Sequence, residues 1–151
     1  VNPAVGLYRL GHFFHSRGLQ RLGWAISWCN RLLFATWIPS SARIGRNFAC
    51  GYWGLGVVIH KDTVIGDDCV VSQNVTIGRN PDDTRVPVIG NRVHIYPGAV
   101  VAGEIRVGDD AVIGANSVVL SDVPARALVV GAPARVVRLL PASGTVVSTA
   151  E

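Results

Sequence analysis

A parallel β-helix made of six-residue units is the fold class this sequence predicts, and three observations predict it. Between Ile59 and Val119 the same kind of side chain returns every sixth residue: Ile59, Ile65, Val71 and Ile77, then after a twelve-residue step Ile89, Ile95, Val101, Val107, Ile113 and Val119. Glycine follows the ladder residue at Gly66, Gly78, Gly90, Gly108 and Gly114. The residue four places after each ladder position is mostly small or β-branched: Thr63, Cys69, Val75, Val93, Ala99, Ala111, Ser117 and Val123, with Ile105 the large one. A period of six is neither helical nor simple strand alternation. It fits a short strand and a tight corner, with β-branched side chains packed inward and glycine where a Cβ would not fit. Three units make one coil of eighteen residues, and coils stack at the inter-strand spacing of about 4.8 Å. On an eighteen-residue repeat, Ile59, Ile77, Ile95 and Ile113 are expected one above another in the interior. No unit buries its apolar side alone, so the stack folds as a near-linear array.

The chain has 151 residues, enough for one domain with a real core. Residues 1–37 are expected to form a helical cap, 38–137 the β-helix, and 138–151 a loose tail. Within 7–35, Leu7, Leu10, Phe13 and Phe14 recur at helical spacing, and Leu19, Leu22, Ile26, Cys29, Leu32 and Leu33 make an apolar stripe. Gly18 and Gly23 are expected to break the segment into two helices. Its first reading is a cap over an open end of the coil stack, where unpaired strand edges would otherwise invite association. Arg9, Arg17, Arg21 and Arg31 with Trp24, Trp28 and Trp37 also suit peripheral contact with a membrane surface. Oligomer contacts are a third reading. The chain starts on Val1 and contains no Met, so its start reads as either a cut edge or a processed end.

Ile38, Ile44 and Cys50 already keep the six-residue step, which then slips by three before Ile59. The slipped segment, Gly51-Tyr52-Trp53-Gly54-Leu55-Gly56, reads as a distorted corner. The twelve-residue step holds Arg79-Asn80-Pro81-Asp82-Asp83-Thr84-Arg85-Val86-Pro87, polar and proline-bearing, and is expected to leave the coil as an extended loop.

Composition excludes several classes. There is no apolar run long enough to span a bilayer. No run of Lys and Arg with interleaved aromatics is present, so nucleic acid is not an expected partner. The net charge of +4 favours an anionic ligand such as a nucleotide or coenzyme A. Three cysteines without a paired framework point to a reducing, cytoplasmic compartment, with Cys50 and Cys69 inside the coil. His60 and His94 lie too far apart in sequence for a three-histidine zinc site, and His12 and His15 have no third ligand nearby, so no metal is expected. Neither a phosphate-binding glycine loop nor a G-x-S-x-G elbow is present.

General-base acyl transfer remains. It needs a group to take the acceptor's hydroxyl proton and donors to hold the oxyanion. His60 stands where the corner glycine usually does, next to the slipped aromatic segment, and is the candidate base. A corner histidine bonded to backbone is the alternative. Tyr52 is a candidate oxyanion donor or an edge aromatic, and Asp82, with Asp83, is a candidate to orient the base or bind an amino group, or a solvated loop charge.

These features resemble the hexapeptide-repeat acyltransferases, and within them the serine acetyltransferase group, over about Ile38 to Val137. The likeness is carried by Val75-Thr76-Ile77-Gly78, by Ile113-Gly114-Ala115-Asn116-Ser117-Val118-Val119, and by Val130-Gly131-Ala132-Pro133-Ala134-Arg135. The resemblance implies a left-handed β-helix, a homotrimer with sites between subunits, and acetyl-CoA as donor, contacted at Gly78, Pro97, Ala115, Ala132 and Arg135. It departs at three positions: where the family pattern has an Asp and two His, this chain has Trp37, Trp53 and Val86. A shorter branch that modifies polysaccharides is similar at Gly56-Val57-Val58-Ile59-His60 and Val86-Pro87-Val88-Ile89-Gly90, and places a histidine at His60. The expected activity is acetyl-CoA-dependent O-acetylation of a sugar or polysaccharide precursor. Serine O-acetylation with a displaced base and an inactive trimeric scaffold are the alternatives.

Overall fold

In the computed structural model, which describes residues 2–141, the ladder folds into three sheets that form the sides of a prism. Strands are numbered in chain order. The first side stacks β1 (Arg43–Ile44), β4 (Val64–Ile65), β7 (Val88–Ile89) and β10 (Arg106–Val107). The second stacks β2 (Ala49–Cys50), β5 (Val70–Val71), β8 (His94–Ile95), β11 (Val112–Ile113) and β13 (Ala127–Gly131), and ends on β14 (Ala134–Leu139). The third stacks β3 (Val58–Ile59), β6 (Thr76–Gly78), β9 (Val100–Ala102) and β12 (Val118–Val119). All pairings are parallel except β13 with β14.

Every ladder residue points inward, none more than 2% exposed. Each fully buried Ile or Val contributes roughly 1.5–3 kcal/mol relative to exposure. The columns differ from a strict eighteen-residue repeat. Ile59 lies beneath Ile77, as expected, but Ile77 lies beneath Val101, and Ile95 lies above Val71 and below Ile113. The twelve-residue step is one side of the prism plus a six-residue excursion, so it moves later ladder residues onto the next side.

Close approach at the corners accounts for the glycines. A Cβ on Gly66 would stand 2.6 Å from the Gly90 carbonyl oxygen in the next coil. The left-handed backbone sits two residues further on, at Asp68, Arg92, Asp110 and Arg126, with φ of 53–60°. Side-chain oxygens also link successive coils: Asp67 accepts from the Arg46 amide at 2.7 Å, Asn91 from Asp67 at 2.9 Å, and Asp109 from Asn91 at 2.8 Å.

Two helices precede the prism, α1 (Pro3–Ser16) and α2 (Gln20–Phe34). Asn2 caps α1, its side-chain oxygen accepting from the amides of Ala4 and Val5 at 3.0 and 3.3 Å. The capping role expected for this segment falls to α1. Tyr8 donates to the Ala42 carbonyl and accepts from the Ile44 amide, Arg9 donates to the Ile44 and Gly45 carbonyls, and Asn2 donates to the Cys50 carbonyl. The free edges of β1 and β2 therefore keep their backbone partners.

The helices break at Gly18 (φ 84°), as expected. Gly23 does not break the chain. It lies inside α2, where a Cβ would be 2.9 Å from the Gly11 carbonyl oxygen, and so sets how closely the helices approach. The apolar stripe of α2 faces outward: Leu19, Leu22, Cys29, Leu32 and Leu33 are exposed, and only Ile26 of that stripe is half-buried. The inward residues of α2 are Gly23, Ser27 and Asn30. Arg138 and Leu139, placed in the tail from sequence, belong to β14, and residues 142–151 of that tail lie outside the described residues.

Candidate active site

The third side of the prism carries candidate residues along both of its long edges. On the edge shared with the second side, Gln73, Pro97 and Ala115 occupy successive coils. The Gly98 amide donates to the Gln73 carbonyl at 3.1 Å and the Asn116 amide to the Pro97 carbonyl at 2.9 Å. Gly131 continues the column above, its amide donating to Ser117 Oγ at 3.2 Å, and Ala132 follows it. Below, the three-residue slip resolves into a 3-10 turn, Gly51–Gly54, in which Tyr52 and Trp53 take left-handed φ of 47° and 56°. Both rings are exposed, and Trp53 meets Phe34 edge-on at 6.0 Å. Tyr52, Pro97, Ala115 and Ala132 thus share one edge.

The opposite edge holds His60, Gly78 and Ala102 in successive coils. Here the excursion of residues 79–87 leaves and returns. Asp83 Oδ2 accepts from the Glu104 amide at 3.1 Å, and Arg85 pairs with Glu104 at 2.9 Å, so the loop lies back over this edge. Asp82 is exposed and makes no side-chain hydrogen bond among the described residues; Asp83 is the carboxylate that ties the loop down. A Cβ on Gly78 would meet only Thr76 Cγ2, at 4.0 Å, and the Gly78 carbonyl accepts from the Gly103 amide at 3.2 Å.

The His60 side chain is 30% exposed. Its Nδ1 faces the Asp62 amide at 3.3 Å and Asp62 Oδ2 at 3.7 Å. The contact to the amide leaves the proton of the neutral ring on Nε2. Nε2 is free to act as a base only in the other tautomer, in which Nδ1–H would donate to a carboxylate such as Asp62 Oδ2, 3.7 Å away. The hydrogen bond from the Lys61 ammonium, at 2.8 Å, holds the Asp62 carboxyl below the ordinary carboxylate range. Asp62 escaped sequence reasoning; its signal was its place two residues after His60, at the same corner.

Pro97 and Ala102 lie at opposite ends of one side, separated by the turn at Gly98 and by β9. Arg135 lies on β14 opposite Val130, next to the Gly131–Ala132 end of the first column, and lines a cavity of about 470 Å³ with Val119, Leu120, Pro133 and Ala134. Its Nη1 donates to the Ala134 carbonyl at 2.8 Å. Among the described residues no group of three His, Cys, Asp or Glu side chains converges on a metal position.

Residues 87–121 match the family model described as bacterial transferase hexapeptide (six repeats). The serine acetyltransferase of Helicobacter pylori strain J99 is 42% identical over 136 residues, which cover 89% of this chain and 79% of that protein. The chain belongs to the serine acetyltransferase family. Two solved structures of the family align closely. A serine acetyltransferase from Brucella abortus in complex with coenzyme A superposes with a TM-score of 0.87 at 30% identity, covering 91% of this chain and 56% of that one. A soybean serine acetyltransferase complexed with serine gives a TM-score of 0.84 at 35% identity, with 89% and 56% covered. The chain therefore spans little more than half the length of these solved relatives. Family membership makes the coil stack a left-handed parallel β-helix of the hexapeptide-repeat acyltransferases.

The three departures from the serine acetyltransferase pattern have visible surroundings. Trp37 bridges to Val58, and its ring contacts those of Trp24 and Trp28 at 5.8 and 5.3 Å. Trp53 is solvent-exposed, and Val86 is half-buried where the excursion rejoins the coil.

Proposed function

We propose that this chain transfers the acetyl group of acetyl-CoA to the hydroxyl of L-serine, as a homotrimer with its site between subunits. The observation that carries the reading is the 42% identity to a serine acetyltransferase across 89% of the chain. It favours serine over the sugar acceptor expected from the sequence. The split of candidate residues between two edges of one face supports the assembly, because a second copy could bring one edge against the other.

In this reading Pro97, Ala115 and Ala132 line the donor's path, with Arg135 toward a coenzyme phosphate. Gly78, on the other edge, leaves room where the excursion opens. His60, oriented by Asp62, removes the serine hydroxyl proton through Nε2 as the oxygen attacks the thioester carbonyl carbon. The Tyr52 hydroxyl of an adjoining copy donates to the oxyanion. Collapse of the tetrahedral intermediate breaks the C–S bond, and the His60 proton passes to the departing thiolate. The products are O-acetylserine and coenzyme A. Asp82 remains a candidate for the acceptor's ammonium group.

A second reading, transfer to a sugar, is favoured by one observation. Tyr52 and Trp53 present two exposed rings side by side, a surface suited to stacking on a sugar.

Thiol release from acetyl-CoA, measured with L-serine and with a panel of sugars and nucleotide sugars, tests both. Serine-dependent release supports the first reading, and release only with a sugar replaces it with the second. No release with any acceptor, together with no thermal shift by acetyl-CoA, overturns both in favour of an inactive scaffold. His60→Ala is expected to lower turnover by roughly 10²–10⁴-fold with the fold retained. Undiminished turnover removes His60 from the mechanism.

A further inference from the structure

α2 is turned inside out. Its inward side is small and polar: Ser27 Oγ donates to the Gly23 carbonyl and accepts from the Ser40 amide, and Asn30 donates to the Ala4 carbonyl. Its outward side is apolar, with Leu22 at 44%, Trp28 at 54%, Leu33 at 68% and Leu32 at 81% exposure, and Leu10 and Phe13 of α1 are exposed as well. Water is a poor cover for so many large side chains on one helical pair.

The helical pair itself carries charge of one sign: residues 3–34 hold Arg9, Arg17, Arg21 and Arg31 and no Asp or Glu. Arg17, Arg21 and Arg31 are exposed on or between the helices, Arg17 lying 3.5 Å over the Phe13 ring. Packing this face against the same face of a second copy would oppose arginines with no carboxylate on either side to pair them. An anionic lipid surface satisfies both halves of the pattern, taking the leucines and tryptophans at the acyl boundary and the arginines at the headgroups. No helix among the described residues is long and apolar enough to cross a membrane, so the contact lies in the plane of the interface.

We propose that the outer face of the α1–α2 pair docks the protein on an anionic bilayer. The proposal does not rest on the acetyl-transfer reading and is tested without turnover.

The test is flotation of the full chain with vesicles of phosphatidylcholine alone or of equal parts phosphatidylcholine and phosphatidylglycerol. The expected result is flotation with the anionic vesicles only, weakened by salt. The double substitution Leu32→Glu with Leu33→Glu should abolish flotation without lowering the thermal midpoint, since both side chains are already in water. Arg21→Glu and Arg31→Glu should each weaken binding by at least roughly five-fold. Absence of flotation with anionic vesicles overturns the proposal, as does flotation that the double substitution leaves intact. Light scattering without lipid supplies a further overturning result: an assembly mass that falls in the Leu32/Leu33 variant would assign the face to a second copy.

Discussion

The Tyr8 hydroxyl donates to the Ala42 carbonyl at 2.7 Å and, at 3.2 Å, accepts from the amide of Ile44, so one side chain of α1 closes two backbone groups at the start of the coil stack. Removing it in Tyr8→Phe leaves a buried N–H and a buried C=O without that partner. The expected cost is about 1–3 kcal/mol, a fall of roughly 2–12 °C in thermal midpoint, read by calorimetry or by circular dichroism on heating.

The same tyrosine sets an alkaline limit. Burial pushes Tyr8 from its ordinary 10.0 up to about 12, and Cys50 from 9.0 up to about 12. Both groups are therefore neutral in the fold at pH values where the unfolded chain has ionised them. Their contribution is complete below pH 9 and is lost as pH rises toward 12. Urea midpoints taken from pH 8 upward should fall in that window, and fall less steeply in Tyr8→Phe. A flat profile would mean that neither group is buried as described.

Gly23→Ala sets two effects of opposite sign against each other. In a free helix the substitution stabilises by about 1 kcal/mol. Here the new Cβ would lie 2.9 Å from both the Gly11 carbonyl oxygen and Ser40 Oγ, and one of these is backbone. Overpacking of this kind costs roughly 1–3 kcal/mol, so net destabilisation is expected in urea unfolding. A stabilised variant would show that the two helices pack further apart.

Ile77→Ala should cost roughly 2–5 kcal/mol, because Ile77 is fully buried between Ile59 and Val101 in a narrow interior. Thr76→Ala, one residue away on the outer side of the same strand, should cost much less. Equal losses from the two, measured by urea unfolding, would contradict the alternation of the strand.

Asp83→Ala removes the acceptor of the Glu104 amide and frees the excursion. Thermal stability should change by less than about 1 kcal/mol, since the bond is exposed. Cleavage by trypsin at Arg79 or Arg85 should become faster. Unchanged proteolysis would show that Arg85–Glu104 pairing alone holds the loop.

The prism was legible because each six-residue unit repeats one demand, a β-branched residue inward and no Cβ at the following corner. The column assignment was not, since the span from Ile77 to Ile89 has the same length whether it covers two sides or one side and an excursion. In α2 the apolar period was visible but its direction was not. Gly11 and Gly23 let the helices approach so closely that small residues took the inside, and Leu32 and Leu33 were left out. The two edges of the candidate site follow from corner positions readable in the chain, as His60 and Ala115 show. Asp62 was missed because a carboxylate after a histidine and a lysine reads as a solvated charge until the corner folds them together.

The excursion between Gly78 and Val88 has a consequence for how such a protein can change. Its six extra residues are absorbed wholly outside the prism, and above it β7 still pairs with β4 and β9 with β6. The coil stack thus works like a spine with sockets: a foreign segment of another length could be spliced in at this corner, or this one cut out, while every rung keeps its neighbour. The make-up of this segment and the foldability of the coils are inherited separately here, and new segments can be tried at this corner without being screened first for survival of the core.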